Sequence, residues 1–221
     1  MDSEKSLPQL QCEDMKKIQK SKEKKAKELK ENPEYSEEIL RKRCNTYINT
    51  YLETDEIKKS GLPIRQQNPP EDITENIVKF IVRNYDNDPL IMWAKCAGEK
   101  GDLITPKYVF PPEVKSFTSD GPCSFGPNKK FGVLYFLDLR EWIKNNKIIL
   151  WRIDVSSESP EFKQLKMNKG QTHEEQCGEK RRPHIAWNLI YTQLADKCVK
   201  VYEGTFENIF IANQQSFPQL V

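Results

Sequence analysis

Two amphipathic helices are predicted in the first half of the chain by apolar residues that recur three and four positions apart. The first begins after Ser36, a residue type that commonly caps helix N-termini, and ends before Gly61 and Pro63. Its apolar face consists of Leu40, Cys44, Tyr47, Ile48 and Tyr51. The second helix covers about 72–85, and its apolar stripe consists of Ile73, Ile77, Phe80 and Ile81. A more polar helix is expected over about 9–31, where Pro33 ends it.

After this second helix the pattern changes to short apolar runs that are typical of β-strands. Strands are expected over 90–96, 102–105, 108–117, 132–137, 148–155 and 199–202. A short helix is expected over 139–144, and another begins at Pro183 and carries Ile185, Leu189, Ile190 and Leu194. Residues 168–182 are polar and predict a stretch without regular structure. Helices before and between a mixed set of strands indicate an α/β (α+β) fold, with helices that flank a central sheet.

With 221 residues, the chain is long enough for one domain, or for one domain with a helical arm. We expect an N-terminal helical region over 1–62 and a core domain over 63–221. The net charge of +2 gives no global basic field. Lysines crowd residues 16–30, but acidic residues interleave with them, so a solvated helix with paired charges is the favoured interpretation.

The six cysteines lie far apart without a CxxC pair, which argues against zinc and indicates reduced thiols. The sequence has no apolar run of the ~20 residues that a membrane span needs. Its first residues do not have the pattern of a secretory signal. These observations predict a cytoplasmic protein that makes no membrane contact.

Three ionisable residues of mixed sign lie in or beside the predicted strands, where an unpaired charge is costly to bury. They are Asp102, Glu113 and Lys115. Strand alternation places Glu113 and Lys115 on the same face and turns Val114 into the core. If Asp102 comes from a neighbouring strand, its carboxylate and that of Glu113 can converge on one hard cation, which prefers oxygen ligands. The lysine would then lie beside a metal-bound water.

The arrangement of Asp102, Glu113 and Lys115 resembles the active-site motif of the PD-(D/E)XK nuclease superfamily, which contains most type II restriction endonucleases. The segment 116–127 that follows the motif is similar to the corresponding segment of some restriction enzymes. Gly101 stands where the family's motif has proline, a position that varies widely. The resemblance covers about 70–155. It implies a restriction-endonuclease-like sheet and a Mg²⁺ ion held by Asp102 and Glu113, with Lys115 as a catalytic residue.

Other residues carry more than one interpretation. The motif itself is also compatible with a surface hairpin that exposes a Glu–Lys pair, which would contribute little to stability. Glu75 lies on the helix before the sheet, off its apolar stripe. In several nucleases of the superfamily a glutamate on that helix reaches the metal site, so Glu75 is a fourth catalytic candidate. A solvent-facing glutamate is an equally good interpretation.

Two segments are candidates for DNA contact. The loop 118–127 contains Ser119, Gly121 and Ser124, and its glycines permit close approach of backbone N–H groups to phosphates, although a rigid turn has the same composition. The segment 168–184 is a candidate recognition loop. It supplies Gln171, Gln176, Arg181 and Arg182, side chains that can bond base edges, and its basic cluster would abut the helix that starts at Pro183. The alternative is a flexible hydrophilic loop.

The resemblance and these residues favour a Mg²⁺-dependent, sequence-specific endonuclease that cuts double-stranded DNA, a type II restriction enzyme. A single catalytic set in a small chain suggests a homodimer on a palindromic site. The N-terminal helical region over 1–62 is a candidate for the dimer contact or for DNA contact. Two alternatives remain open at this level. One is a repair or recombination nuclease without sequence preference, and the other is a DNA-binding protein of the same fold without catalysis.

Overall fold

The computed structural model describes Lys20 and residues 35–96, 101–167 and 170–211. The helix predicted over 9–31 lies outside these residues except for Lys20, which is helical. The two amphipathic helices are confirmed as α1 (Glu37–Lys59) and α2 (Glu71–Tyr85). Ser36 caps α1, because its hydroxyl accepts a hydrogen bond from the backbone N–H of Ile39. Asp72 of α2 accepts hydrogen bonds from Tyr35 and Arg43, which ties the two helices together.

The central sheet has four strands in the order β3–β5–β6–β8. They are β3 (Glu113–Phe117), β5 (Leu134–Asp138), β6 (Ile148–Ile153) and β8 (Cys198–Gly204). β3 runs parallel to β5, with Glu113 opposite Leu134, whereas the other two pairings are antiparallel. The sheet is therefore mixed, as the sequence predicts, and β3 forms one of its edges. The short helix predicted between β5 and β6 is α3 (Trp142–Asn145).

Both faces of the sheet are covered by apolar side chains. All five residues of β5 are buried, because this central strand has a core cluster on each side. One cluster contains Leu40 of α1, Ile77 of α2 and Tyr135 of β5. The other includes Phe136 and Phe162 from the opposite face. The boundary expected at residue 62 stays a prediction, although α1 packs into the same cluster as α2.

Two small antiparallel pairings lie outside the central sheet. Strand β1 (Met92–Trp93) pairs antiparallel with β2 (Leu103–Ile104), and β4 (Cys123–Ser124) pairs antiparallel with β7 (His184–Ile185). The strands predicted over 90–96 and 108–117 are therefore shorter than expected. The strand predicted over 108–117 was too long because the prolines at 111 and 112 cannot donate ladder hydrogen bonds. They confine β3 to the residues that follow them.

The last third of the chain corrects two predictions. Residues 168–182 are not without regular structure, because α5 (His173–Gly178) lies there, after α4 (Pro160–Lys163). Thr172 and Glu175 form a capping box at the start of α5. The helix expected from Pro183 begins later, as α6 (Trp187–Gln193), because strand β7 occupies the intervening residues. No described helix is long and apolar enough to cross a membrane, and the cysteines of the described part are free.

Candidate functional site

An open groove of about 570 Å³ lies beside the edge strand β3. Its walls come from the N-terminal part of α2, the residue before β2, strand β3 and the loop that follows β3. Most of the candidates named from the sequence line it: Glu75, Asp102, Glu113, Lys115, Ser119, Gly121, Ser124 and Arg182. The fold thus gathers into one groove residues that lie more than a hundred positions apart in the chain.

Asp102 is fixed against β3 by the backbone of that strand. Its Oδ2 accepts a hydrogen bond of 2.8 Å from the N–H of Val114. Asp102 does not come from a neighbouring strand of the central sheet, as the simplest form of the motif would have it. It lies in the bend that leads into β2, whose partner is β1. The bond to Val114 brings its carboxylate to the Glu113 end of β3 all the same.

Glu113 and Lys115 lie on the same face of β3, as strand alternation predicts. The Lys115 Nζ donates a hydrogen bond of 2.6 Å to Oε1 of Glu113 and lies 5.2 Å from the centre of the Phe125 ring. Glu113 is only 2% exposed. Burial raises its pKa above the ordinary value, although the neighbouring lysines oppose this shift. The pair is therefore not the exposed surface pair of the alternative interpretation.

A third charged residue, Lys129, joins the two carboxylates. Its Nζ donates a hydrogen bond of 3.1 Å to Oδ1 of Asp102 and lies 2.7 Å from Oε2 of Glu113. The second approach is an ion pair without hydrogen-bond alignment, and this buried Oε2 has no hydrogen-bond partner among the described residues. Burial of Lys129 lowers its pKa, but the two acids outweigh that effect and raise it. One cationic atom therefore already lies between the two acids.

The donor set fits a magnesium ion. Asp102 and Glu113 offer carboxylate oxygens that converge on one point, which the Lys129 ammonium already contacts, so a cation can be held there. Within the described part of the chain, no group of three or more His, Cys, Asp or Glu side chains is arranged to hold a metal. Magnesium does not need one, because it is commonly held by one or two carboxylates and keeps several waters.

Glu75 belongs to the wall of this groove and is not a solvent-facing helix residue. It is 4% exposed, and the Trp93 Nε1 donates a hydrogen bond to its Oε2. Lys95 Nζ lies 3.6 Å from its Oε1. Burial raises the pKa of Glu75 to about 7, an effect that the Trp93 hydrogen bond opposes and the negative charge of Asp102 reinforces. Trp93, which lies in strand β1, therefore covers Glu75.

The raised pKa of Glu75 gives a testable stability profile. Between pH 4.5 and 7 the folded carboxyl keeps a proton that the unfolded chain has lost, so wild-type stability falls as the pH rises through this window. Glu75→Gln removes the titration. We therefore expect the difference in the free energy of unfolding, Glu75→Gln minus wild type, to increase by up to about 3 kcal/mol when the pH is raised from below 4.5 to about 8.

Urea denaturation of both proteins at a series of pH values measures this difference. The matched control is Glu161→Gln, which changes an exposed glutamate of α4. An equal pH slope for the two variants would contradict the prediction and would show that Glu75 is not held in a desolvated environment.

The structure separates the DNA-contact candidates into two groups. Ser119, Gly121, Ser124 and Arg182 line the groove. Gln171 and Arg181 do not, since they form a surface network with Glu179: Gln171 Nε2 donates to Glu179 Oε1 at 2.9 Å, and Arg181 Nε lies 3.0 Å from Oε2. Arg182 and not Arg181 is therefore the basic residue of this segment that lies beside the carboxylates.

The structure differs from two expectations for the segment 168–184. Gln176 was proposed as a base-reading side chain, but it is buried at 5% exposure, because α5 turns it towards the interior. The basic residues Arg181 and Arg182 do not abut a helix N-terminus either, since β7 separates them from α6.

Lys129 is the functional candidate that sequence reasoning missed. It follows a loop of Gly, Pro and Asn and precedes another lysine, a context typical of a solvated turn. The one available signal was the apolar residue Phe131 close behind it, which indicates that the chain re-enters the core there.

Comparison with known families gives one match over most of the described chain. The model of the Bsp6I restriction endonuclease family matches residues 35–194. This range spans α1 to α6 and includes Glu75, Asp102, Glu113, Lys115 and Lys129. Comparison with curated proteins and with solved structures gives no match. The mixed sheet flanked by helices agrees with a restriction-endonuclease-like fold, and with more than half of its length matched, the chain belongs to the Bsp6I restriction endonuclease family.

Proposed function

We propose that the protein is a magnesium-dependent, sequence-specific endonuclease that hydrolyses phosphodiester bonds of double-stranded DNA, as a type II restriction enzyme. The observation that carries this proposal is the convergence of the Asp102 and Glu113 carboxylates on one point, with the Lys115 ammonium beside them in an open groove. Membership of a restriction endonuclease family supports the same class of reaction.

Asp102 and Glu113 would hold the magnesium ion. Bound there, Mg²⁺ supplies Lewis-acid stabilisation of negative charge on the phosphate and makes water a better nucleophile. The hydrogen bond from Val114 orients the Asp102 carboxylate, and burial on the edge strand fixes Glu113. Lys115, held by Glu113 and the Phe125 ring, presents its ammonium to the attacking water and to the phosphate oxygens.

Glu75 would act as a proton acceptor near the same site. A carboxyl with a pKa near 7 is well matched to proton transfer at neutral pH, whereas an ordinary glutamate is too weak a base. The hydrogen bond from Trp93 and the approach of Lys95 position it on the groove wall. The water proton therefore has a local acceptor, separate from the two acids that would bind the metal.

Loop 118–127 and Arg182 would contact the DNA. Ser119, Gly121 and Ser124 lie on the groove wall next to β3, so their hydroxyl and backbone N–H groups can bond phosphates. Gln171 and Arg181 lie outside the groove, in the network with Glu179, and would meet the duplex only at its periphery.

We further propose that the active form is a homodimer. The described residues provide one carboxylate pair, and cleavage of both strands of a duplex at a palindromic site needs two such sites related by two-fold symmetry. Sedimentation equilibrium of the full chain, with and without a DNA duplex, tests this. A monomer in both conditions would contradict it.

Incubation of the purified protein with plasmid DNA and Mg²⁺ tests the proposed function directly, with a parallel reaction in excess EDTA. Discrete fragments that need Mg²⁺ are expected. A smear of fragments would favour the nuclease without sequence preference, and a mobility shift without cleavage would favour the non-catalytic DNA-binding protein. Sequencing the fragment ends gives the recognition site for the experiments below.

Arg182 should be the arginine that distinguishes DNA sequences. If it bonds a guanine edge, Arg182→Ala costs roughly 1–3 kcal/mol of binding to the recognition duplex and much less on a scrambled duplex. Binding of each duplex across a salt series measures this. The matched control is Arg181→Ala, which we expect to change binding less, because Arg181 is engaged with Glu179. Equal losses on both duplexes would instead identify Arg182 as a phosphate contact.

A further inference from the structure

Lys129 lies where a cation between the two acids would lie. Its Nζ is 3.1 Å from Oδ1 of Asp102 and 2.7 Å from Oε2 of Glu113, the oxygen that otherwise has no hydrogen-bond partner among the described residues. Lys115 uses the other oxygen of Glu113. The two lysines therefore do different things: Lys115 pairs with Glu113 alone, whereas Lys129 bridges Glu113 and Asp102.

The charges at this point balance without a metal. Two carboxylates face two ammonium groups, and the side chain of Glu113 is 3% exposed. A divalent cation added to this set would leave a net charge of +2 around the nearly buried Glu113 carboxylate, with two ammonium groups repelling it. Its ligand oxygens would also be those that Lys129 already contacts. Occupation by Lys129 and occupation by a metal ion therefore exclude each other.

Lys129 is able to leave this position. Its side chain is 34% exposed, and it lies on a turn in which its backbone N–H bonds the carbonyl of Gly126. The long, flexible side chain can swing into the groove without moving that turn. Lys115 is more enclosed, at 19% exposure and against the Phe125 ring, so it has less freedom to withdraw.

We propose that Lys129 is a built-in competitor of the metal ion: its ammonium holds Asp102 and Glu113 together in the metal-free enzyme, and magnesium binds only when it withdraws. This inference rests on the proposed metal site. It makes Lys129 a positioning residue that keeps the acids converged before loading and lowers the affinity of the empty groove for metal. A DNA phosphate in the groove is a ready acceptor for the released ammonium.

Magnesium binding in the absence of DNA tests the proposal, because no turnover takes place. Isothermal titration of the full-length protein with MgCl₂ should show that Lys129→Met binds Mg²⁺ about tenfold or more tightly than wild type, within the usual range of coupling between two sites. Lys129→Arg keeps the charge and should stay close to wild type. Lys130→Met is the matched control, since Lys130 is the exposed neighbour that pairs with Glu158.

A thermal-shift series gives the second readout. In EDTA, Lys129→Met should melt below wild type, because the two acids lose the cation that joins them. Added Mg²⁺ should raise its melting temperature by more than it raises that of wild type. If Lys129 had only a structural role, Lys129→Met would melt below wild type in EDTA, but Mg²⁺ would raise the two melting temperatures equally.

The experiment distinguishes failure of the Lys129 proposal from failure of the proposed metal site. Equal Mg²⁺ affinity of wild type and Lys129→Met, with binding that Asp102→Asn abolishes, would overturn the role of Lys129 and leave the metal site intact. Equal tightening in Lys129→Arg would also overturn it, because the charge would then be irrelevant. Absence of Mg²⁺ binding in both wild type and Lys129→Met would overturn the inference and the proposed metal site together.

Discussion

Glu113→Gln and Asp102→Asn should each lower Mg²⁺-dependent DNA cleavage by about a thousandfold or more. Each variant removes one of two carboxylates proposed to hold the metal, whose charge stabilisation contributes several kcal/mol, and about 1.4 kcal/mol is a tenfold change in rate. Asparagine at position 102 can still accept the hydrogen bond from Val114, so the bend before β2 should be kept. Single-turnover cleavage of the recognition duplex measures the loss.

DNA binding separates loss of chemistry from loss of folding. Both variants should bind the recognition duplex in EDTA at least as tightly as wild type, because a negative charge that faces the phosphates is gone. The control is Glu158→Gln, an exposed glutamate paired with Lys130 and Lys163, which should cut at the wild-type rate. More than a few per cent of wild-type cleavage in either acid variant, an order-of-magnitude threshold, would remove that residue from the metal site.

Lys115→Met should slow the cleavage step by about 10² to 10⁴, the usual contribution of a positioned acid–base group. Methionine keeps much of the side chain's length and its packing on Phe125, but it removes the ammonium proposed to act on the water and the phosphate. Single-turnover rates at saturating Mg²⁺ and protein isolate this step from binding. Affinity for the DNA should change far less than the rate.

Lys130→Met serves as the charge-matched control for this experiment, because it also removes one lysine, an exposed one that pairs with Glu158. A decrease of less than about tenfold for Lys115→Met would show that this lysine acts only as the ion-pair partner of Glu113. If Lys115→Met cleaves slowly at low Mg²⁺ but at the wild-type rate at higher Mg²⁺, the lysine affects metal loading and not the attacking water.

The sheet and its flanking helices were predictable because their signals are local. The apolar stripes of α1 and α2 and the apolar runs of β5 and β6 are visible in the sequence, and the structure confirms the elements that they predict. Helix α5 was missed because so short a helix gives no clear apolar periodicity. Its capping box, Thr172 with Glu175, was nevertheless present in the sequence and was the available signal.

Within the candidate site, the sequence predicted how side chains are placed relative to one another where their spacing along β3 decides it. Alternation places Glu113 and Lys115 on one face of β3 whatever surrounds them. The burial of Glu75 depends on Trp93, from a hairpin that is distant in sequence, and helix periodicity alone leaves that residue looking exposed. The bridging position of Lys129 depends on the path of the loop after β4, which no local pattern encodes.

The residues that line the groove come from separate segments of the chain, and this bears on how a new DNA sequence preference could arise. Asp102, Glu113, Lys115 and Lys129 all come from one continuous stretch, which folds around the sheet edge. Arg182 enters the same groove from a separate segment, through the pairing of β7 with β4. The residues proposed for cleavage and the arginine proposed for sequence discrimination thus lie in different segments of the chain. In laboratory evolution, exchange of the segment that contains Arg182 offers a route to new sequence specificities, while the residues proposed for cleavage stay unchanged.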